Sequence, residues 1–85
     1  MSKGRVVFVS GNGGMLVVQS DEGFALIELL GDEGQIETGD YVYGDWTALG
    51  GEPIRRDGES FDAYFQGCWA NPQIPVEMAR RSGGG

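Results

Sequence analysis

The sequence predicts an all-β protein, a small antiparallel barrel of five or six strands followed by a flexible C-terminal tail. Three observations predict it. Runs of β-branched and aromatic residues recur along the chain, and glycine-containing turns separate them at intervals of roughly ten residues. No stretch carries the sustained 3.6-residue apolar period of a long helix. Sixteen of the 85 residues are glycine, and apolar runs fill the gaps between them, unlike the pattern of a disordered linker. Closure into a barrel suits so short a chain because it removes exposed strand edges.

Taken in order, Arg5-Val6-Val7-Phe8-Val9 reads as the first strand. Gly11-Asn12-Gly13-Gly14 follows as a hairpin turn, since Asn and Gly tolerate positive φ. A phosphate-binding cradle would need a helix behind these glycines, whereas a second strand, Met15 to Gln19, follows. Ser20-Asp21-Glu22-Gly23 is a turn, with Asp early and Gly late, and Phe24 to Leu29 is the third strand of a meander. Gly31-Asp32-Glu33-Gly34-Gln35 is a solvated acidic loop that lacks the regular oxygen spacing of a calcium site.

The Gly39-Asp40 turn feeds Tyr41-Val42-Tyr43-Gly44-Asp45-Trp46, the strand against which the first sheet closes. Ile54-Arg55-Arg56 is a short strand and Asp57-Gly58 its turn. Phe61 to Gln66 then alternates, with Phe61, Ala63 and Phe65 on one face.

These elements place a barrel domain over residues 3–69 and a tail over 70–85. Pro72 and Pro75 exclude a central strand there. Pro75 is compatible with the start of a helical turn or two, and from about Arg80 onward disorder is expected because terminal glycines lose much entropy on ordering. The expected core is Val6, Phe8, Leu16, Val18, Ala25, Ile27, Leu29, Val42, Phe61, Ala63 and Phe65.

Composition narrows the function classes. A chain of this length buries only about 60–65% of the surface it exposes when unfolded, so a site between two lobes is excluded. Six basic and thirteen acidic side chains leave a net charge of −7, which disfavours non-specific binding to a polyanion. Histidine is absent and Cys68 is the lone cysteine, so neither a thiol–imidazole pair nor a cysteine zinc site can form. Lys3, the lone lysine, sits at the N-terminus. No enzymatic activity, metal or cofactor is expected. No apolar run is long enough to span a membrane, and the N-terminus does not read as a signal peptide, so a cytoplasmic protein is expected.

Residues 3–69 resemble the OB-fold of cold-shock and S1 domains. Lys3-Gly4-Arg5-Val6-Val7-Phe8 looks like a cold-shock first strand, and the glycine-rich turn before Met15-Leu16-Val17-Val18 sits where that family carries its first RNA-binding motif. Gly39-Asp40-Tyr41-Val42 looks like the Gly-Asp-x-Val that opens a late strand in both families. The resemblance implies an OB-like barrel and binding of single-stranded nucleic acid. Met15, Leu16 and Val17 are aliphatic where cold-shock domains carry stacking aromatics and a lysine.

Two binding functions follow. The first is protein contact or homodimerisation. Arg5, Gln19 and Glu28 should face water, so alternation puts Val7, Met15, Val17, Phe24 and Leu26 on the same outer face, and a large exposed apolar face marks a partner site. In that case Val17→Glu would abolish association and leave the fold intact. The alternative is single-stranded nucleic-acid binding, with stacking on Phe24, Tyr41, Tyr43 or Trp46 and phosphate contacts from Arg5, Arg55 and Arg56. A basic aromatic face distinguishes the second from the first.

Overall fold

The alternating runs form six strands in the computed structural model, which describes residues 1–83. They are β1 (Ser2–Val9), β2 (Met15–Ser20), β3 (Gly23–Leu29), β4 (Tyr41–Gly44), β5 (Gly50–Arg56) and β6 (Glu59–Trp69). One helix, α1 (Gln73–Ser82), follows. The strands close into a barrel in the order β1-β2-β3-β6-β5-β4, and every pairing is antiparallel. Two three-stranded meanders, β1-β2-β3 and β4-β5-β6, thus meet along β1–β4 and along β3–β6. Among the described residues, no helix is long and apolar enough to cross a membrane.

Local chemistry sets the turns. Asp57 and Gly58 both take positive φ, 46° and 83°, the requirement of a tight two-residue hairpin whose twist matches the flanking strands. The β1–β2 turn is more elaborate. Asn12 Oδ1 accepts hydrogen bonds from Gly14 N (2.8 Å) and Ser10 Oγ (2.8 Å), and Ser10 Oγ accepts one from Met15 N (3.0 Å).

The closure is uneven around the barrel. β5 and β6 are paired from Gly50↔Phe65 to Arg56↔Glu59, whereas β4 and β5 are joined by the single pair Tyr43↔Arg55.

The core holds Val6, Leu16, Val18, Ala25, Ile27, Leu29, Val42, Phe61, Ala63 and Phe65, as alternation predicts, and adds Ile36, Trp46 and Ile54. Trp46 is fully buried. Its indole stacks on Phe65 with centroids 6.0 Å apart, and its Nε1 donates to the Ser2 carbonyl at 2.9 Å. Glycine makes room for it, because a methyl group on Gly4 would lie 3.0 Å from the indole and one on Gly44 would lie 3.1 Å from it.

Phe8 departs from the predicted core. The register passes from Val6↔Val18 to Phe8↔Val17, so a β-bulge at Val7 inserts one residue into β1. One extra residue reverses the faces of those that follow. Phe8 therefore turns to the outer surface and Val9 packs against the core.

The expected tail also differs. α1 runs for 10 residues and docks on the outside of β2, β3 and β6, burying Pro75 and Ala79. Tertiary packing supplies what a short helix lacks in isolation. Glu77 pairs with Arg81 (3.1 Å) and Arg80 (3.8 Å), and both arginines lie in the last turn, where the helix dipole favours cations. Arg80 to Ser82, expected to be disordered, belong to this helix, and the Gly83 carbonyl accepts a hydrogen bond from Asn12 N at 2.9 Å. The rest of the segment expected to be disordered, Gly84 and Gly85, lies outside the described residues.

Candidate functional site

α1 decides the fate of the apolar outer face. Met15, Val17 and Leu26 are buried beneath it with Ala79, and Val7 and Phe24 are half-buried at its margin beside Phe8, Trp69 and Val76. The face is therefore an intramolecular contact, a second small core between helix and barrel. Residues expected to meet a partner meet the chain's own C-terminal segment. The physical reason is that an apolar strip of this size is cheaper to cover than to hydrate, and Pro75 and Ala79, one helical turn apart, supply the cover.

The nucleic-acid set is divided by the fold. Trp46 is in the core and offers no face for stacking. Phe24 lies under the edge of α1. Arg56 is committed to closing one end of the barrel. Its guanidinium donates to the Gln35 carbonyl (2.7 Å), Asp40 Oδ2 (2.8 Å) and Glu59 Oε1 (3.0 Å), and it lies 5.3 Å from the Phe61 ring centroid. The hydrogen bond to Glu59 raises its pKa first, against some opposition from burial, and Asp40 adds to the rise.

Arg5, Tyr41, Tyr43 and Arg55 are brought together. The cross-strand register sets them in two rows on the outer surface of β1, β4 and β5. One row is Gln19–Arg5–Tyr41, and the other is Lys3–Tyr43–Arg55–Ser60. Residues opposite each other in such rows have Cβ atoms about 4.5–5.5 Å apart. All seven side chains are exposed. The Lys3 Nζ lies 4.4 Å from the Tyr41 ring centroid. Sequence reasoning left Lys3 out of this set. The signal was present in Lys3-Gly4-Arg5, where an inward glycine puts both flanking cations on the same outer face.

The ion pairs sharpen the contrast. Of the six basic residues, Arg56, Arg80 and Arg81 have carboxylate partners. Lys3, Arg5 and Arg55 form no ion pair among the described residues, and all three belong to these rows. Neither row contains a carboxylate. Carboxylates stand close by: Asp62, opposite Pro53, is one outward step beyond Arg55 and Ser60, and Asp45 and Asp57 lie two residues along the chain from Tyr43 and Arg55.

Elsewhere the surface offers less chemistry. An open depression lined by Leu30, Gly51, Glu52, Pro53, Asp62 and Ala63 holds two carboxylates but no cation or nucleophile. Burial, helped by the Glu22 carboxylate, pushes the Cys68 thiol up, and its Sγ donates to the Glu22 carbonyl at 3.4 Å. It is thus held as a thiol, the weakly nucleophilic form.

Asp40 carries a pH dependence. The backbone N–H of Glu37 hydrogen-bonds its carboxylate and holds its pKa below the ordinary range, Arg56 reinforces this, and burial opposes it in part. A depressed folded value means that the contribution is complete above the unfolded value of about 3.9 and is lost as pH falls through the folded value. Asp40→Asn should therefore lower stability at pH 7 and narrow the loss on acidification. Urea midpoints at pH 6 and pH 3 check this, and an equal acid loss in parent and variant would remove Asp40 from the account.

No protein-family model matches the chain, and no curated protein or solved structure shows significant similarity to it.

Proposed function

We propose that this protein is a non-catalytic binding module that takes single-stranded nucleic acid on the outer face of β1, β4 and β5. The observation that carries the reading is the juxtaposition of three cations without ion-pair partners and two exposed tyrosines in adjacent cross-strand rows. Cations meet phosphates, and the tyrosine rings offer sequence-tolerant stacking surfaces.

Two magnitudes bear on it. The net charge of −7 opposes a polyanion, yet charges farther away than about 8 Å are largely screened at physiological salt. The molecule measures 29 × 26 × 23 Å, so the far-side carboxylates contribute little, and the field at the face is set by the three local cations against the nearby carboxylates Asp45, Asp57 and Asp62. The Lys3–Tyr41 contact is worth about 0.5–1 kcal/mol at an exposed site. A base stacked on the ring is worth about 1–3 kcal/mol, so a ligand can displace the ammonium toward a phosphate.

The relation to OB-fold barrels belongs to the same reading. The leading meander and the pairing of β1 on both sides support it. Six strands in two antiparallel meanders differ from the five-stranded Greek-key barrel of that fold, so the face, more than the fold, supports the function.

The test is fluorescence anisotropy of labelled mixed-sequence single-stranded DNA and RNA. Binding should be modest, with a Kd on the order of 10–100 μM at physiological salt, in the non-specific range. Replacing Lys3, Arg5 and Arg55 together with glutamine should abolish it and leave the melting curve near that of the parent. Undiminished binding by that variant, or no binding by the parent at low salt, would refute the reading.

A further inference from the structure

The proposed ligand face has a size as well as a chemistry. Tyr41 and Tyr43 are successive outward residues of β4, so their Cα atoms are set about 6.6–6.8 Å apart along the strand. Arg5 and Lys3 flank them in the same order on β1, opposite Tyr41 and Tyr43 respectively. Arg55 flanks Tyr43 from the other side, on β5. The tyrosines thus form a central line with cations on both banks. That spacing is comparable to the step between nucleotides in an extended single strand.

Beyond the two rows the pattern stops in every direction. Past Tyr43 β4 ends at Gly44 and Asp45 follows, while Arg55 has Pro53, opposite Asp62, on one side along its face and Asp57 on the other. Past Arg5 along β1 the bulge at Val7 begins, and the surface turns apolar under α1. Carboxylates and the helix bound the field.

Resting on the binding reading above, we infer that the face holds two stacked nucleotides of a strand running along β4, with no more than three phosphates neutralised. The ligand lies along one strand of the barrel. The module recognises a short single-stranded segment of any longer chain, and lengthening that chain adds no new contact.

The experiment uses the full protein and oligothymidylates of increasing length from two residues, at several salt concentrations. Affinity corrected for the number of registers should level off by about four nucleotides. The slope of log K against log salt should be about −2, given roughly −0.7 for each phosphate neutralised on a single strand. Arg5→Gln should make that slope shallower by about 0.7. Tyr41→Ala and Tyr43→Ala should each weaken binding roughly ten-fold, within the range for loss of one stacked base.

Binding that depends on Lys3, Arg5 and Arg55 but keeps strengthening beyond eight or so nucleotides, or shows a slope steeper than about −4, would overturn the two-nucleotide site and leave the face assignment standing. Binding indifferent to those three cations would overturn both.

Discussion

Trp46→Ala should remove a large part of the protein's stability and move its urea midpoint well below that of the parent. The indole is fully buried, stacks on Phe65 and reaches the Ser2 carbonyl. Removing a large buried aromatic costs about 3–5 kcal/mol through lost transfer energy and the cavity left behind. For a domain of this size that is a large part of a total of roughly 0.05–0.15 kcal/mol per residue. Collapse around the hole is hindered because two of the residues against the ring, Gly4 and Gly44, carry no side chain to move into it. Urea unfolding followed by far-UV circular dichroism checks this. Trp46→Phe should recover most of the stability, lacking mainly the Nε1 bond at about 1 kcal/mol. A Trp46→Ala midpoint equal to that of the parent would show that the ring is dispensable to the core.

Val17→Glu carries the second large effect. Val17 is fully buried between β2 and the helix, in the cluster with Met15, Leu26 and Ala79. A carboxylate there has no counter-charge within that cluster, and an unpaired buried charge costs about 3–5 kcal/mol. The charge is relieved if the carboxyl takes up a proton, α1 lifts or the barrel opens, and each route costs stability. The expected result is a lower melting temperature with loss of helical signal, in a protein whose parent already covers this face by itself. Circular dichroism and size-exclusion chromatography of parent and variant decide it. A variant that keeps its melting temperature and changes only its state of association would show that the face meets another chain.

These two residues also mark what was legible in the sequence. Strand alternation placed Leu16, Val18, Ile27, Phe61 and Phe65 inward because each depends only on its own strand's period, and Asp57-Gly58 was readable because a two-residue hairpin is a local event. Phe8 was not, since Val6-Val7-Phe8-Val9 is apolar throughout and hides the inserted residue. Trp46 sits just past the end of β4, where no period constrains it, and its burial depends on partners from β1 and β6. The cover over Val17 was invisible for a different reason. A helix of this length gains its stability from the surface it meets, and that surface lies some sixty residues away in sequence (roughly Val17 to Ala79).

The candidate face follows the same division. Alternation put Tyr41 and Tyr43 on one side of β4 and Arg5 on the outside of β1. Their meeting with Arg55 needs the registers of β1 on β4 and of β4 on β5, which are long-range facts. Arg56 is next to Arg55 in sequence and equally basic, yet it points to the barrel's end, where Asp40 and Glu59 consume its charge.

β4 and β5 share the single ladder pair Tyr43↔Arg55, reinforced at one end where Arg56 reaches Gln35 and Asp40, and the joint runs through the middle of the face where Lys3, Tyr43 and Arg55 stand. A closed sheet with one weak seam behaves as a ring with a clasp. Its amides next to that seam should exchange with solvent before those of β2 and β3, an order that native-state hydrogen exchange checks. Whatever binds across Lys3, Tyr43 and Arg55 spans the clasp and favours its closed form. A ligand on that face, as proposed, would link its occupancy to local opening, so that the seam would report on binding and binding would tighten the barrel.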